Sequence, residues 1–215
     1  MKHSSLLVYL FSGALILSSC KKSDDTDSSS GNNNTGGSAA LTINSSWQVK
    51  AKIDGLDYAK RDSVDGASGV FTDSEQGGSF PDSSVADYGS SLVNLSTFDP
   101  YFSVYRNGQR YPGGTSVLNS DFLAYFTPGN YPYTDEYVDG AAIFYTDANG
   151  EMWGSNMGSG DQTGSVFTIV QVREETFFPN YDIRVLCHFN CKLYNGSGQS
   201  KSLTDGEYVG LFEAF

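Results

Sequence analysis

Histidine, cysteine and proline are scarce in this chain of 215 residues, which holds 2, 3 and 6 of them. One histidine is His3, at the extreme start, so His188 alone serves the rest of the chain. A single histidine could join a Ser-His-Asp arrangement, but no Gly-x-Ser-x-Gly elbow accompanies it. Metal binding by His and Cys is equally poorly supported, because Cys187 and His188 are neighbours and point to opposite faces of an extended segment. Positive charge is sparse too: 13 Lys and Arg stand against 25 Asp and Glu, a net charge of −12. That balance argues against nucleic acid as a partner and against docking on anionic lipid headgroups. Past residue 40 no helical 3.6-residue pattern persists, and no apolar run approaches the ~20 residues of a membrane span. With 24 glycines and few prolines, the chain has the composition of many tight turns.

The start of the chain has a different character. Met1-Lys2-His3 is a short basic region, and the apolar stretch Leu6 to Leu17 follows it. That stretch is about 12 residues, too short to span a bilayer and right for a secretory signal. It ends in Leu17-Ser18-Ser19-Cys20. Small residues before a cysteine suit a peptidase with narrow subsites, and the thiol then receives the lipid. This resembles the lipobox of bacterial lipoproteins, and it implies removal of residues 1–19 and lipidation of Cys20. Residues 20–40 open with Lys21-Lys22-Ser23-Asp24-Asp25 and continue as a Ser/Asn/Gly run. Such a segment buries too little apolar surface to order itself. It reads as a tether reaching ~25 Å by random-coil scaling. The lysine-then-acid cluster resembles the export signal of Bacteroidota surface lipoproteins, which implies an outward-facing protein on the outer membrane.

Residues 41–215 suffice for one all-β domain with a real core. The clearest strand is Ile183 to Leu193. Ile183, Val185, Cys187, Phe189, Cys191 and Leu193 share one face, opposite Arg184, His188, Asn190 and Lys192, with Leu186 the exception. In an unbroken strand Cys187 and Cys191 lie about 13 Å apart at Cα, beyond the 4.4–6.8 Å of a disulfide, so buried free thiols are expected. Trp47 to Ile53 alternates likewise, and Asp54-Gly55 turns it toward Leu56 and Tyr58. Further strands are expected at 91–96, 101–105, 141–146, 151–153, 165–173 and 207–215, with turns at Asn195-Gly196, at Asp205-Gly206 and at Asp147-Ala148-Asn149-Gly150. The stretch 66–89 is less regular, with Gly66-Ala67-Ser68-Gly69 and Gln76-Gly77-Gly78-Ser79 reading as loops, and 120–126 reads as a short helix capped by Ser120. An antiparallel β-sandwich is the expected fold, and a closed lipocalin-like barrel the alternative.

Ala142-Ile143-Phe144-Tyr145-Thr146-Asp147-Ala148-Asn149-Gly150-Glu151-Met152-Trp153, Phe189-Asn190-Cys191-Lys192-Leu193-Tyr194 and Leu203-Thr204-Asp205-Gly206-Glu207-Tyr208 together resemble the C-terminal half of small, uncharacterised Bacteroidota surface lipoprotein domains. The resemblance implies the fold and the location. It brings no activity and no functional residues.

Candidate sites follow from chemistry alone. Asp147 to Glu151 begins like a calcium loop, but strand flanks favour a plain hairpin, so no metal ligand is assigned and a structural calcium stays unsupported. Asp135-Glu136 and Glu174-Glu175 could enter a carboxylate pair, yet adjacent strand residues face opposite ways and neither is a dyad. No catalytic residue or cofactor is assigned. The 14 tyrosines and 14 phenylalanines cluster near turns at 101–111, at Tyr131-Pro132-Tyr133 and at 177–181. Flat rings beside amide side chains suit stacking on sugars or a protein interface, which nominates Tyr131, Tyr133, Phe178 and Tyr181 for ligand binding. The expectation is a non-enzymatic, membrane-anchored module binding a glycan or protein. An accessory subunit of an envelope complex is the alternative, and a hydrolase a weaker one.

Overall fold

Strand-forming residues fill most of the domain, and pairing rather than local propensity decides where the strands end. The computed structural model describes residues 39–62, 68–80, 82–113, 115–175 and 181–214. Residues 1–38 and 176–180 lie outside the described residues, and with them the signal segment, Cys20, most of the tether and Phe178. The elements are β1 (Gln48–Ile53), β2 (Leu56–Arg61), β3 (Ser68–Phe80), β4 (Ser83–Asn94), β5 (Pro100–Pro112), α1 (Asn119–Tyr125), β6 (Gly129–Tyr131), β7 (Gly140–Thr146), β8 (Met152–Gly154), β9 (Val166–Glu175), β10 (Asp182–Tyr194) and β11 (Ser200–Glu213).

Hydrogen bonds join the strands in the order β2-β1-β11-β10-β8-β7-β5-β4-β3, with β9 and β6 branching from β10. All named ladders are antiparallel. A sheet this wide must curl, because each strand is rotated against the last. Here the curl is strong enough to make a half-barrel whose two wings face each other. One wing holds β2, β1, β11, β10, β9 and β6; the other holds β8, β7, β5, β4 and β3. Their joint is a single residue pair, Tyr194 with Gly154. Across the interior, Phe102 of β5 stacks on Phe189 of β10 at 5.8 Å, and Ser90 of β4 hydrogen-bonds Tyr208 of β11 at 2.8 Å. The fold is all-β with the face-to-face packing of a sandwich. A closed barrel would need the path's two end strands to pair, and no ladder joins β2 to β3 among the described residues.

The alternation in β10 holds. The six alternating apolar residues are buried and His188 is exposed. Leu186 is buried as well, on the outer side, because residues 39–46 cross the wing there. Leu41 and Ile43 form a second small core with Leu186 and Val209. Arg184 fastens this strap, its guanidinium 3.7 Å from the Trp47 ring and donating to the Ser45 carbonyl at 2.7 Å. Cys187 and Cys191 are buried free thiols, and burial raises both well above the usual thiol range, Cys191 to about 12.

Three expectations are corrected. The two segments expected as loops belong to a strand where they are described: β3 begins at Ser68, runs on through 76–79 and pairs with β4, and residues 66–67 lie outside the described residues. Its glycines and serines hide the pattern, because backbone pairing and the small cross-section of the outer face override weak propensity. Asp205-Gly206 is no turn. β11 runs through it, with Asp205 at φ 51° and a register shift in β10 opposite, a bulge that lets the Phe189 ring lie where a Cβ on Gly206 would be 2.2 Å away. The short helix exists, but Leu118 stands at its N-cap and no side chain caps it.

Candidate ligand-binding recess

In the second wing, alternate residues face outward: Asp73 and Glu75 from β3, Asp87, Gly89 and Ser91 from β4, and Ser103, Tyr105 and Asn107 from β5. The strand registers align them in rows. Asp73 pairs with Gly89, Gly89 with Tyr105, and Tyr105 with Ala142 of β7. In the next row Ser91 pairs with Ser103, Ser103 with Phe144, and Phe144 with Gly154 of β8. Small residues between large ones leave a trough on a sheet face, since each row is only one side chain wide. A Cβ on Gly89 would stand 2.6 Å from the Tyr105 ring, and one on Gly154 2.8 Å from the Phe144 ring. The two glycines thus let the rings lie down across the neighbouring strands. The rings meet edge to face at 5.6 Å.

The trough deepens into a recess of about 230 Å³. One end is aromatic and apolar, with Phe144, Met152 and Pro100; the other is acidic, with Asp73, Glu75, Asp87 and Glu136. No basic side chain is among the lining residues. Asp87 is buried and structural. Its two carboxylate oxygens accept backbone N–H groups from Gly108 at 2.7 Å and from Tyr137 at 2.9 Å. It thereby pins the connection between β6 and β7, which carries Glu136, over the strands. Tyr137 takes φ 62°, a conformation that this anchoring sustains.

Electrostatics follow the geometry. Burial, and then Asp73, Glu136 and Asp87, hold the Glu75 carboxyl above its ordinary range. Burial also raises Asp87, outweighing its two backbone hydrogen bonds. The Tyr105 hydroxyl is pushed up to about 12, first by burial and then by Asp73, Glu75 and Glu136. Each shift records burial first and the neighbouring carboxylates second. Asn156, which also lines the recess, carries a buried Oδ1 without a hydrogen-bond partner. The recess is rich in hydrogen-bond acceptors.

Of the residues nominated from sequence, Tyr131, Tyr133 and Tyr181 lie elsewhere, and Phe178 falls outside the described residues. Tyr131 covers the guanidinium of Arg106, which is held 3.9 Å from the ring centres of both Tyr125 and Tyr131 and donates to the Gly140 carbonyl at 2.8 Å. Tyr133 packs edge-on to Phe167, and its hydroxyl donates to the Asn190 carbonyl at 3.0 Å. Tyr181 meets Phe122 edge-on and donates to Glu174 at 2.8 Å. All three pack against the core, and no ring contact joins any two of them among the described residues. Asp147 closes its own hairpin by accepting the N–H groups of Asn149 and Glu151 and the Trp153 indole. Glu175 pairs with Arg173 and Arg184. Among the described residues no group of three His, Cys, Asp or Glu side chains is placed to hold a metal ion.

Asp73, Glu75, Asp87, Tyr105 and Phe144 escaped the sequence-level search for a site. Tyr105 fell inside an aromatic cluster already marked, and Thr72-Asp73-Ser74-Glu75 alternates small with acidic residues. Only the pairing of β3 with β4 gives that alternation a face. No known protein family, curated protein or solved structure matches the chain.

Proposed function

We propose that this is a lipoprotein, anchored to the outer membrane through lipid on Cys20 and facing outward, whose β domain binds a small ligand in the recess beside Tyr105 and Phe144. The Leu17-Ser18-Ser19-Cys20 motif and the lysine-then-acid tether support the anchoring. One observation carries the binding: the outer face of the second wing is hollowed beside two rings where a sheet face would otherwise be flat or filled. A concave, partly apolar site with convergent polar groups is the usual form of a small-molecule site.

The test is a small-molecule library added to the purified full chain in non-ionic detergent, read by ring-proton NMR. Ligands are expected to move the Tyr105 and Phe144 signals, and Tyr105→Ala or Phe144→Ala is expected to weaken their binding about two- to tenfold, the loss of one aromatic contact. Ligands that bind equally well to both folded variants would place binding elsewhere and end this reading. The gathered carboxylates favour a second reading, a glycoside hydrolase with Glu75 as proton donor, since its carboxyl keeps its proton to higher pH than usual. Turnover of aryl glycosides that Glu75→Gln abolishes would select it.

A further inference from the structure

The recess is asymmetric in a way that specifies its occupant. Of its four carboxylates, Asp87 is spent on backbone N–H groups, whereas Asp73, Glu75 and Glu136 have no ion-pair partner among the described salt bridges. Asp73 lies in the same row as Tyr105, with Gly89 between them, and Glu75 stands directly across from Asp87. Placing like charges together around a partly dry hollow is unfavourable unless something positive joins them. The wall adds Asn156 Oδ1, an acceptor that is buried and unpaired. At the far end Phe144 and Met152 offer apolar surface and a ring face. An occupant should therefore carry N–H donors and positive charge at one end and hydrocarbon behind it. A metal ion fits poorly, since the carboxylates are not gathered closely enough to share one.

We infer that the recess takes an aliphatic organic cation, an alkylammonium or polyamine, with its charged end among Asp73, Glu75 and Glu136 and its hydrocarbon along Phe144 and Met152. This rests on the recess being the ligand site. Carboxylates, an amide oxygen and aromatic faces are the groups that recognise an ammonium. Because Glu75 and Glu136 are exposed to solvent, the attraction is screened by salt.

Calorimetry of the full chain in non-ionic detergent with 1,6-diaminohexane, 1-hexanol and hexanoate tests it, with NMR of the two rings alongside. The diamine is expected to bind one to one, to move the Phe144 signals, and to weaken about tenfold between 20 and 500 mM salt. Hexanol and hexanoate are expected not to bind measurably. Glu75→Gln with Glu136→Gln removes two exposed, mutually repelling charges and leaves the fold intact. It should weaken the diamine by a further tenfold or more. The same charge change at Asp57 of β2 and Asp121 of α1 should leave binding within about twofold. Equal loss in that second pair would mean diffuse attraction to an acidic surface and would overturn the inference. Hexanol or hexanoate moving the ring signals as strongly as the diamine would overturn the cation while leaving the recess a ligand site. If no compound of the larger library moves those rings, both readings fall together.

Discussion

Asp182 sits in β10 directly across from Glu175 of β9 on one side and Glu213 of β11 on the other. It is only 3% exposed. Glu175 stays ionised: burial opposes this, but hydrogen bonds and charge from Arg173 and Arg184 outweigh it and hold its carboxyl below the usual range. Asp182 has no such help, and burial, then Glu213 and Glu175, push it up to about 6 from 3.8. The folded state therefore binds this proton more tightly than the unfolded chain. Stability contributed by that proton is present below about pH 4 and is lost as pH rises to about 6. Above that the ionised, crowded carboxylate costs on the order of 3 kcal/mol. Asp182→Asn should then be more stable than the parent at pH 7, by several degrees in melting temperature, and should lose the slope between pH 4 and 6. Thermal melts of both proteins across that range decide it. A variant that is less stable at pH 7 with the slope retained would assign the titration to another group.

At the scale of elements, the strap of residues 39–46 and strand β10 explain each other. Leu186 breaks the alternation of β10 because Leu41 and Ile43 cover it, and Leu41 N–H reaches the Glu207 carboxylate at 2.6 Å. Ile43→Ala should cost about 2 kcal/mol, at the low end for a buried aliphatic truncation because the site lies at the surface and can collapse. It should leave the Tyr105 and Phe144 ring signals unchanged, since those lie on the other wing. Denaturant melts with the ring spectra check both parts; a change at the rings would mean that the strap supports the recess. The strap also marks the boundary of what the sequence makes legible. β10 and β1 could be read because one face is apolar and the other polar, so period two survives in the residue types. Leu186 stood out as a break in that pattern, but its reason is a segment some 145 residues away, which no local window contains. β4 is buried on both faces, so its Ala86, Gly89, Ser90 and Ser91 carry no alternation to read. The site shares that obscurity, because its trough is made by small residues at Gly89, Ser91, Ser103 and Gly154. Each is unremarkable alone, and they become adjacent only through the pairing of β4, β5, β7 and β8.

At the scale of the whole molecule, charge decides what the proposed lipid anchor would have to do. A net charge of −12 repels anionic headgroups, so the folded part gives no electrostatic hold on a membrane. No helix among the described residues is long and apolar enough to cross one. Attachment in the proposed lipoprotein then rests on acyl chains alone. One chain is marginal, and the two or three that follow lipobox processing make the hold stable. Two consequences separate this from adsorption through the protein surface. Washing membranes with 1 M salt should release nothing, because no ion pairs hold the protein there. Cys20→Ser should abolish incorporation of a palmitate analogue and move the protein to the soluble fraction with its fold and its recess unchanged. Fractionation of cells carrying the two forms, with ring NMR on the released variant, reads all of this at once. A Cys20→Ser protein that stays with the membrane would put the attachment in the β domain itself, and its exposed Leu95 and Phe98, in the turn between β4 and β5, would be the first residues to change.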